Sequence, residues 1–152
     1  MRRSDRPDAL GIEGMTHSRL IVLALLLVAE RAISAEIDID KAREVLKDYG
    51  LANCISSQFK GESEIKSDIG LAIGAYSSMG KGQHLIIQNE DTLKVTHDPY
   101  AETEKYMRRA YAKTPSVSKH SDKKMVFYGC LEVYNSREFD AFIQSQDQYL
   151  PK

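Results

Sequence analysis

Cys54 and Cys130 are the residues of this chain best suited to do chemistry. A cysteine thiolate acts as a nucleophile when a histidine serves as its base, and His97 and His120 lie in the same part of the chain. Nothing in the sequence places either histidine near a cysteine. Neither cysteine begins a predicted helix, the position that activates a thiol. A disulfide, two buried free thiols and a catalytic thiol are therefore the alternatives.

The first 35 residues have the pattern of a secretory signal peptide. Leu20–Ala29 is a run of ten apolar residues without a charge, about half the length that crosses a membrane. Arg19 precedes the run, and a stretch ending in the small residues Ser34 and Ala35 follows it. We predict cleavage after Ala35, or after Ser34, and no stable membrane span in the mature form. A buried core helix or an uncut anchor is the alternative.

Residues 36–152 are expected to form a single helical domain, since one domain is the prior for 152 residues. Within the leader, Met15 is a more natural start than Met1, because it begins a short positive segment. We interpret residues 1–14 as an upstream misassignment of the start codon.

The predicted export of the protein bears on whether the two cysteines form a disulfide. An oxidising compartment allows a pair of cysteines to persist as a disulfide. In the chain-entropy model, closing a loop of this size stabilises the fold by roughly 4 kcal/mol. The sequence therefore favours a Cys54–Cys130 disulfide over free thiols and over a catalytic thiol.

Other chemistry is not indicated by the sequence. Lys and Arg number 21 against 22 Asp and Glu, which argues against a nucleic-acid partner. There is no glycine-rich phosphate loop, GxSxG, HExxH or CxxC motif, so we predict no catalytic residue, no metal and no cofactor. We interpret His84, His97 and His120 as solvated loop residues. Several tyrosines are interpreted as edges of the core: Tyr100, Tyr106, Tyr111, Tyr128 and Tyr134.

Hydrophobic periodicity predicts an all-α fold, a small bundle of four main helices plus a short C-terminal helix. The first helix is expected to begin at Asp38 or Asp40 and to run to about Phe59. The second is expected from Ser63 to about Met79.

Three glycines within these two helices are interpreted as packing positions. Gly50 is expected to mark a close approach of another element. Gly70 and Gly74 stand four residues apart on the second helix. We favour tight packing inside the monomer for this pair over the seam of a dimer.

The second half of the chain begins with a possible β-hairpin at about residues 83–97, for which a short extra helix is the alternative. Asp98-Pro99 predicts the start of a third helix, which ends at Thr114-Pro115. Ser121 is expected to cap the fourth helix and Ser136 the last one. Residues of the fourth helix expected to face inward are Met125, Tyr128, Cys130 and Leu131.

Three segments carry a family resemblance. Residues 47–55 read KDYGLANCI, residues 68–76 read DIGLAIGAY, and residues 129–140 read GCLEVYNSREFD. In this order they resemble the first helix, the second helix and the cysteine-bearing helix of a family of immunity proteins. These proteins neutralise type VI secretion amidase effectors of the fourth amidase family.

The resemblance implies a periplasmic all-α protein without enzymatic activity, commonly a homodimer. Such a protein binds a cognate cysteine-type peptidoglycan amidase and occludes its active site, which protects the producing cell. The family reaches its target partly through the loop before the cysteine-bearing helix. The corresponding residues here are Ser116, Val117, Ser118, Lys119, His120 and Ser121, with Asp122 beside them.

The proposed mechanism is occlusion by a preformed loop, with charge-assisted contacts from Lys119 and Asp122. For these two residues the alternative is a purely solvent-facing role. The chain departs from the family pattern at residues 81–97, which are inserted between the second and third helices. Two other functions remain open: an exported Cys-dependent enzyme, and a binding or chaperone module for a small ligand or several clients.

Overall fold

The computed structural model describes residues 37–152. The predicted signal peptide, its cleavage sites and the alternative start codon lie outside the described residues. In chain order the elements are α1 (Ile39–Ser56), α2 (Glu64–Tyr76), β1 (Ile87–Gln88), β2 (Val95–His97), α3 (Pro99–Lys113), α4 (Val126–Tyr134), α5 (Arg137–Ser145) and a 3-10 helix (Asp147–Tyr149). The predicted helical bundle is therefore found, together with a small hairpin.

Helix α1 is the central element and packs against α2, α3, α4 and α5. It begins where the side chain of Asp38 accepts a hydrogen bond from the backbone N–H of Lys41, which satisfies a donor that the first turn leaves free. The prediction of a cap at Asp38 is confirmed, but the helix ends at Ser56 rather than at Phe59. The buried hydrophobic core of the fold comprises Leu46, Cys54, Tyr100, Met107, Tyr111, Cys130, Val133, Phe139 and Ile143.

Gly50 marks a close approach of other helices to α1, as predicted. A Cβ built at this position would lie 2.8 Å from Cγ2 of Thr103 and 3.1 Å from atoms of both Met107 and Phe139. The absence of a side chain at Gly50 therefore lets α3 and α5 pack directly on the backbone of α1.

Helix α2 is shorter than predicted and lies at the surface. Ser63 caps its start, as predicted. The helix ends at Tyr76, where the chain enters a turn in which the N–H of Lys81 donates to the carbonyl of Ala75 at 2.7 Å. Met79 consequently lies beyond the helix and is 96 % exposed.

The glycines of α2 do not pack inside the monomer. Of the α-helices that the structure describes, α2 alone has no buried residue. Apart from the neighbouring residues and backbone of α2 itself, no atom among residues 37–152 lies within 4 Å of a Cβ built at Gly70 or Gly74. The favoured interpretation of tight intramolecular packing is therefore wrong, and this face of α2 remains uncovered.

The predicted hairpin is confirmed, with β1 and β2 antiparallel and Ile87 opposite His97. It is attached to the C-terminal end of the chain. The N–H of Leu85 donates to the carbonyl of Tyr149 at 2.8 Å, and the ring of His97 stacks on that of Tyr149 with centroids 3.8 Å apart. His97 Nε2 also lies 3.0 Å from Oε1 of Gln146.

Helices α3 and α5 begin as predicted, at the caps Asp98 and Ser136. Helix α4 does not, since it starts at Val126 without a side-chain cap, and Ser121 lies in a bend. The carbonyl of Ser121 accepts from the N–H of Lys123 at 2.7 Å, so the backbone there turns instead of entering a helix.

The predicted inward face of α4 is correct only in part. Cys130 is buried and Leu131 is half-buried, whereas Met125 and Tyr128 are exposed. The two wrong assignments follow from the later start of the helix, which places Met125 at the boundary and turns Tyr128 away from the bundle.

Candidate partner-binding site

The two cysteines are joined, as predicted. Cys54 on α1 and Cys130 on α4 form a disulfide with their Cα atoms 5.9 Å apart, and both side chains are fully buried. These are the two cysteines of the chain. Because both are in the disulfide, neither is a free thiol that could act as a nucleophile. The bridge instead fixes α4 to the central helix, close to the point where the preceding loop enters α4.

That loop, residues 114–125, is named here the α3–α4 loop. Its two arms pair with each other. Val117 and Lys124 form an antiparallel bridge, the N–H of Met125 donates to the carbonyl of Ser116 at 2.7 Å, and the N–H of Ser118 donates to the carbonyl of Lys123 at 3.0 Å. The loop is therefore a short ribbon with its tip at residues 119–122.

Most of the predicted binding residues lie on the outside of this ribbon. Ser118 is half-buried. The exposed members of the predicted set are Val117, Lys119, His120, Ser121 and Asp122. The structure therefore presents two charged side chains of opposite sign at the tip, with an apolar side chain on one arm.

Ser116 is the exception, because it is buried at the base of the loop. The residue is 2 % exposed, and its hydroxyl has no hydrogen-bond partner among residues 37–152. It lies against Gly129 of α4, where a Cβ would come within 2.8 Å of the Ser116 hydroxyl oxygen. Ser116 thus seats the base of the loop on the bundle.

The structure adds exposed apolar residues that the sequence analysis did not assign. Phe127 is 63 % exposed, and Met125 and Tyr128 are exposed on the same end of α4. Residues 125–128 are consecutive apolar residues, which a helix cannot turn inward together; that pattern could have revealed the exposed side. A cavity of about 370 Å³ beside them is lined by Pro115, Val117, Lys119, His120, Met125 and Tyr128.

The three histidines among the described residues have different surroundings. His84 is 2 % exposed, so its interpretation as a solvated residue is wrong, and burial lowers its pKa from the usual 6.5. His97 is half-buried against Tyr149, and His120 is exposed on the loop. Within the part of the chain that the structure describes, no group of three or more His, Cys, Asp or Glu side chains could hold a metal ion.

The tyrosines mostly occupy the edge of the core, as interpreted. Tyr100 and Tyr111 are buried, Tyr106 and Tyr134 are half-buried, and Tyr128 alone of the five is exposed. Burial raises the pKa of Tyr100 to about 12. Burial, followed by its hydrogen bond to Asp48, does the same for Tyr134, so both phenols stay neutral and act as packing residues.

Comparison with known families shows which family the chain belongs to. Residues 44–143 match the family model Tai4, described as type VI secretion system (T6SS), amidase immunity protein. The chain belongs to the Tai4 family. The matched residues include the disulfide, the hairpin and the whole α3–α4 loop. No curated protein and no solved structure matches the chain significantly.

Membership of the Tai4 family confirms the resemblance found in the sequence. It indicates a non-enzymatic role and implies that the protein binds a cognate amidase effector. None of the helices in residues 37–152 combines the length and the apolar character that a membrane crossing requires.

Proposed function

We propose that this Tai4-family protein acts in the periplasm, where it binds a cysteine-type peptidoglycan amidase and occludes its active site with the α3–α4 loop. The observation that carries the proposal is the ribbon itself, an exposed tip whose arms are hydrogen-bonded to each other on a disulfide-linked frame. An occluding element of this kind protects the producing cell without performing a reaction.

Preorganisation supports occlusion as the mechanism. Ordering a flexible loop at an interface costs about 0.5–1.5 kcal/mol for each immobilised side chain. The Val117–Lys124 bridge and the two flanking hydrogen bonds set the loop conformation before any partner arrives. Less conformational entropy is therefore lost on binding, and more of the contact energy appears as affinity.

The chemistry of the exposed side chains suits a protein partner. Lys119 and Asp122 are free to form charge-assisted hydrogen bonds at the tip. Val117, Phe127 and Tyr128 add apolar and aromatic area at its side, and large aromatic residues frequently dominate binding energy at interfaces. The combination fits a cleft that has a polar centre and an apolar wall.

We further propose that the protein is a homodimer that uses the uncovered face of α2. Leu71 is 74 % exposed there, and Gly70 and Gly74 leave the backbone open to close approach. A second copy of α2 offers the same apolar side chain and the same small residues. Such a self-complementary surface is what a two-fold dimer requires.

The loop is tested with a double substitution, Val117→Asp with Lys119→Glu, in an assay of peptidoglycan hydrolysis by the cognate amidase. We expect the wild-type protein to inhibit the amidase and the variant to bind it at least about 30-fold more weakly, the factor that corresponds to about 2 kcal/mol. The matched control is Leu93→Asp with Lys94→Glu, an apolar and a basic residue exposed on the hairpin tip.

Inhibition by the control should equal that of the wild type. Unchanged inhibition by the loop variant would remove the α3–α4 loop from the interface. A wild-type protein that leaves the amidase fully active would overturn the proposed function as a whole.

A further inference from the structure

Lys124 makes contacts that neither the sequence nor the family match assigns. Its Nζ donates to the carbonyl of Tyr111 at 2.7 Å and to the carbonyl of Ala112 at 3.2 Å. Both carbonyls belong to the last turn of α3, where backbone acceptors lack partners inside the helix. A cation at this end of a helix also interacts favourably with the helix dipole.

The same ammonium group lies over an aromatic ring. Lys124 Nζ is 4.3 Å from the centroid of the Tyr111 ring, well within the distance at which a cation is attracted to the face of an aromatic side chain. Tyr111 is buried in the core. Lys124 is therefore attached to a fixed part of the bundle by two hydrogen bonds and a cation–π contact.

The backbone of Lys124 belongs to the ribbon. It forms the bridge with Val117, and the next residue, Met125, donates to the carbonyl of Ser116. Lys124 is thus the point at which the paired arms of the loop are fastened to the end of α3.

A second contact, at Gly129 of α4, supports the first arm of the loop. A Cβ built at Gly129 would lie 2.7 Å from the Tyr111 ring and 2.8 Å from the Ser116 hydroxyl oxygen. Ser116, on the first arm, therefore rests against Gly129, which also packs beside Tyr111, and Lys124, on the second arm, contacts Tyr111 directly. A ribbon displaced from the bundle loses one or more of these contacts.

We propose that Lys124 is a positioning residue, which holds the α3–α4 loop in its binding conformation without itself contacting the partner. This inference rests on the proposed function of the loop. Removal of the contacts leaves a ribbon that also populates displaced conformations. The apparent affinity for the amidase then falls in proportion to the lost population of the competent conformation.

The test compares three variants. Lys124→Met keeps the length of the side chain but removes its charge and donors, whereas Lys124→Arg keeps both the charge and the donors. The control, Lys94→Met, removes a charge from an exposed lysine at the hairpin tip, outside the α3–α4 loop. Hydrogen exchange is measured in the free protein at the loop amides of Ser118 and Met125, with core amides of α1 as the reference. Binding to the cognate amidase is measured for the same set of variants.

We expect Lys124→Met to raise exchange at the loop amides about tenfold and to weaken amidase binding by a similar factor, with α1 unchanged. Lys124→Arg should keep most of the loop protection and most of the affinity, and Lys94→Met should change neither. Unchanged loop exchange in Lys124→Met, or faster exchange with unchanged affinity, would overturn the inference. If the wild-type protein does not bind the amidase, the proposed function fails, and loop exchange alone decides whether Lys124 fastens the loop.

Discussion

His84 lies at the base of the hairpin, in a position that couples stability to pH. Its backbone carbonyl accepts from the hydroxyl of Tyr100 at 3.3 Å. Both of its ring nitrogens lack a hydrogen-bond partner among the described residues. Burial lowers the pKa of the imidazole, and the charge of Asp147 opposes that effect only in part. Asp147 is itself paired with Arg43 of α1, so it is not free to move towards the ring.

The consequence is a loss of stability in mild acid. Below the usual histidine pKa of 6.5, the unfolded chain binds a proton that the folded protein does not bind. The free energy of unfolding is therefore fully retained above pH 6.5. It falls as the pH drops towards the lowered pKa of the folded state, by at most about 1.4 kcal/mol for each pH unit.

We predict that His84→Leu reduces this pH dependence. Denaturant unfolding is measured between pH 7.5 and pH 5 for the wild type, His84→Leu and the exposed-site control His120→Gln. The wild type and the control should lose stability in parallel, while His84→Leu loses less, because it carries no group to protonate on unfolding. Equal slopes for His84→Leu and the wild type would contradict the assignment.

At this scale the hydrogen bonds that the sequence predicted are local. Asp38 and Ser63 each accept from an N–H three residues ahead, so their capping role could be predicted from spacing alone. The surroundings of His84 and Ser116 include Tyr100 and Gly129, which lie on other elements. No local pattern encodes such contacts.

At the scale of elements, glycine has opposite surroundings in α1 and α2. Gly50 is surrounded by side chains of α3 and α5, whereas the surroundings of Gly70 are open within residues 37–152. A methyl group added to a packed position strains the core by about 1–3 kcal/mol. A methyl group added to an open helical position stabilises the helix by about 1 kcal/mol relative to glycine.

We therefore predict opposite signs for two identical substitutions. Gly50→Ala should lower the free energy of unfolding by about 1 kcal/mol or more, since the strain exceeds the gain in helix propensity. Gly70→Ala should raise it by up to about 1 kcal/mol. Both are measured by denaturant unfolding at a low protein concentration, where dimerisation does not contribute. A stabilising Gly50→Ala would show that α3 and α5 do not pack on α1 as the structure has them.

Elements whose ends depend on local signals were predictable, and the start of α4 was not. The hairpin and the caps of α3 and α5 follow from residues within each segment. Helix α4 begins where the pairing of the loop arms ends, at Met125. That pairing is tertiary structure, and it overrides the capping signal of Ser121.

For the whole molecule, the sequence predicted the disulfide but not the exposed face of α2. The pairing of Cys54 with Cys130, 76 residues apart, could be predicted because export leaves few other uses for two cysteines. The exposure of α2 could not be predicted, because two small residues four positions apart, Gly70 and Gly74, fit close packing inside the monomer as well as between two copies. The monomer alone does not account for an apolar surface helix of this kind.

Dimerisation through α2 accounts for it and can be tested against a surface of equal exposure. Leu71 on α2 is 74 % exposed and Leu93 on the hairpin is 73 % exposed, so Leu71→Arg and Leu93→Arg place the same charge on two equally accessible leucines. We expect the wild type and Leu93→Arg to show twice the chain mass in light scattering after size exclusion. Leu71→Arg should show the mass of one chain, because a charge in the centre of a self-complementary apolar face is desolvated against its own copy. A monomeric wild type, or a dimer that survives Leu71→Arg, would place the dimer contact elsewhere or exclude it, and the exposed face of α2 would then be left to the amidase.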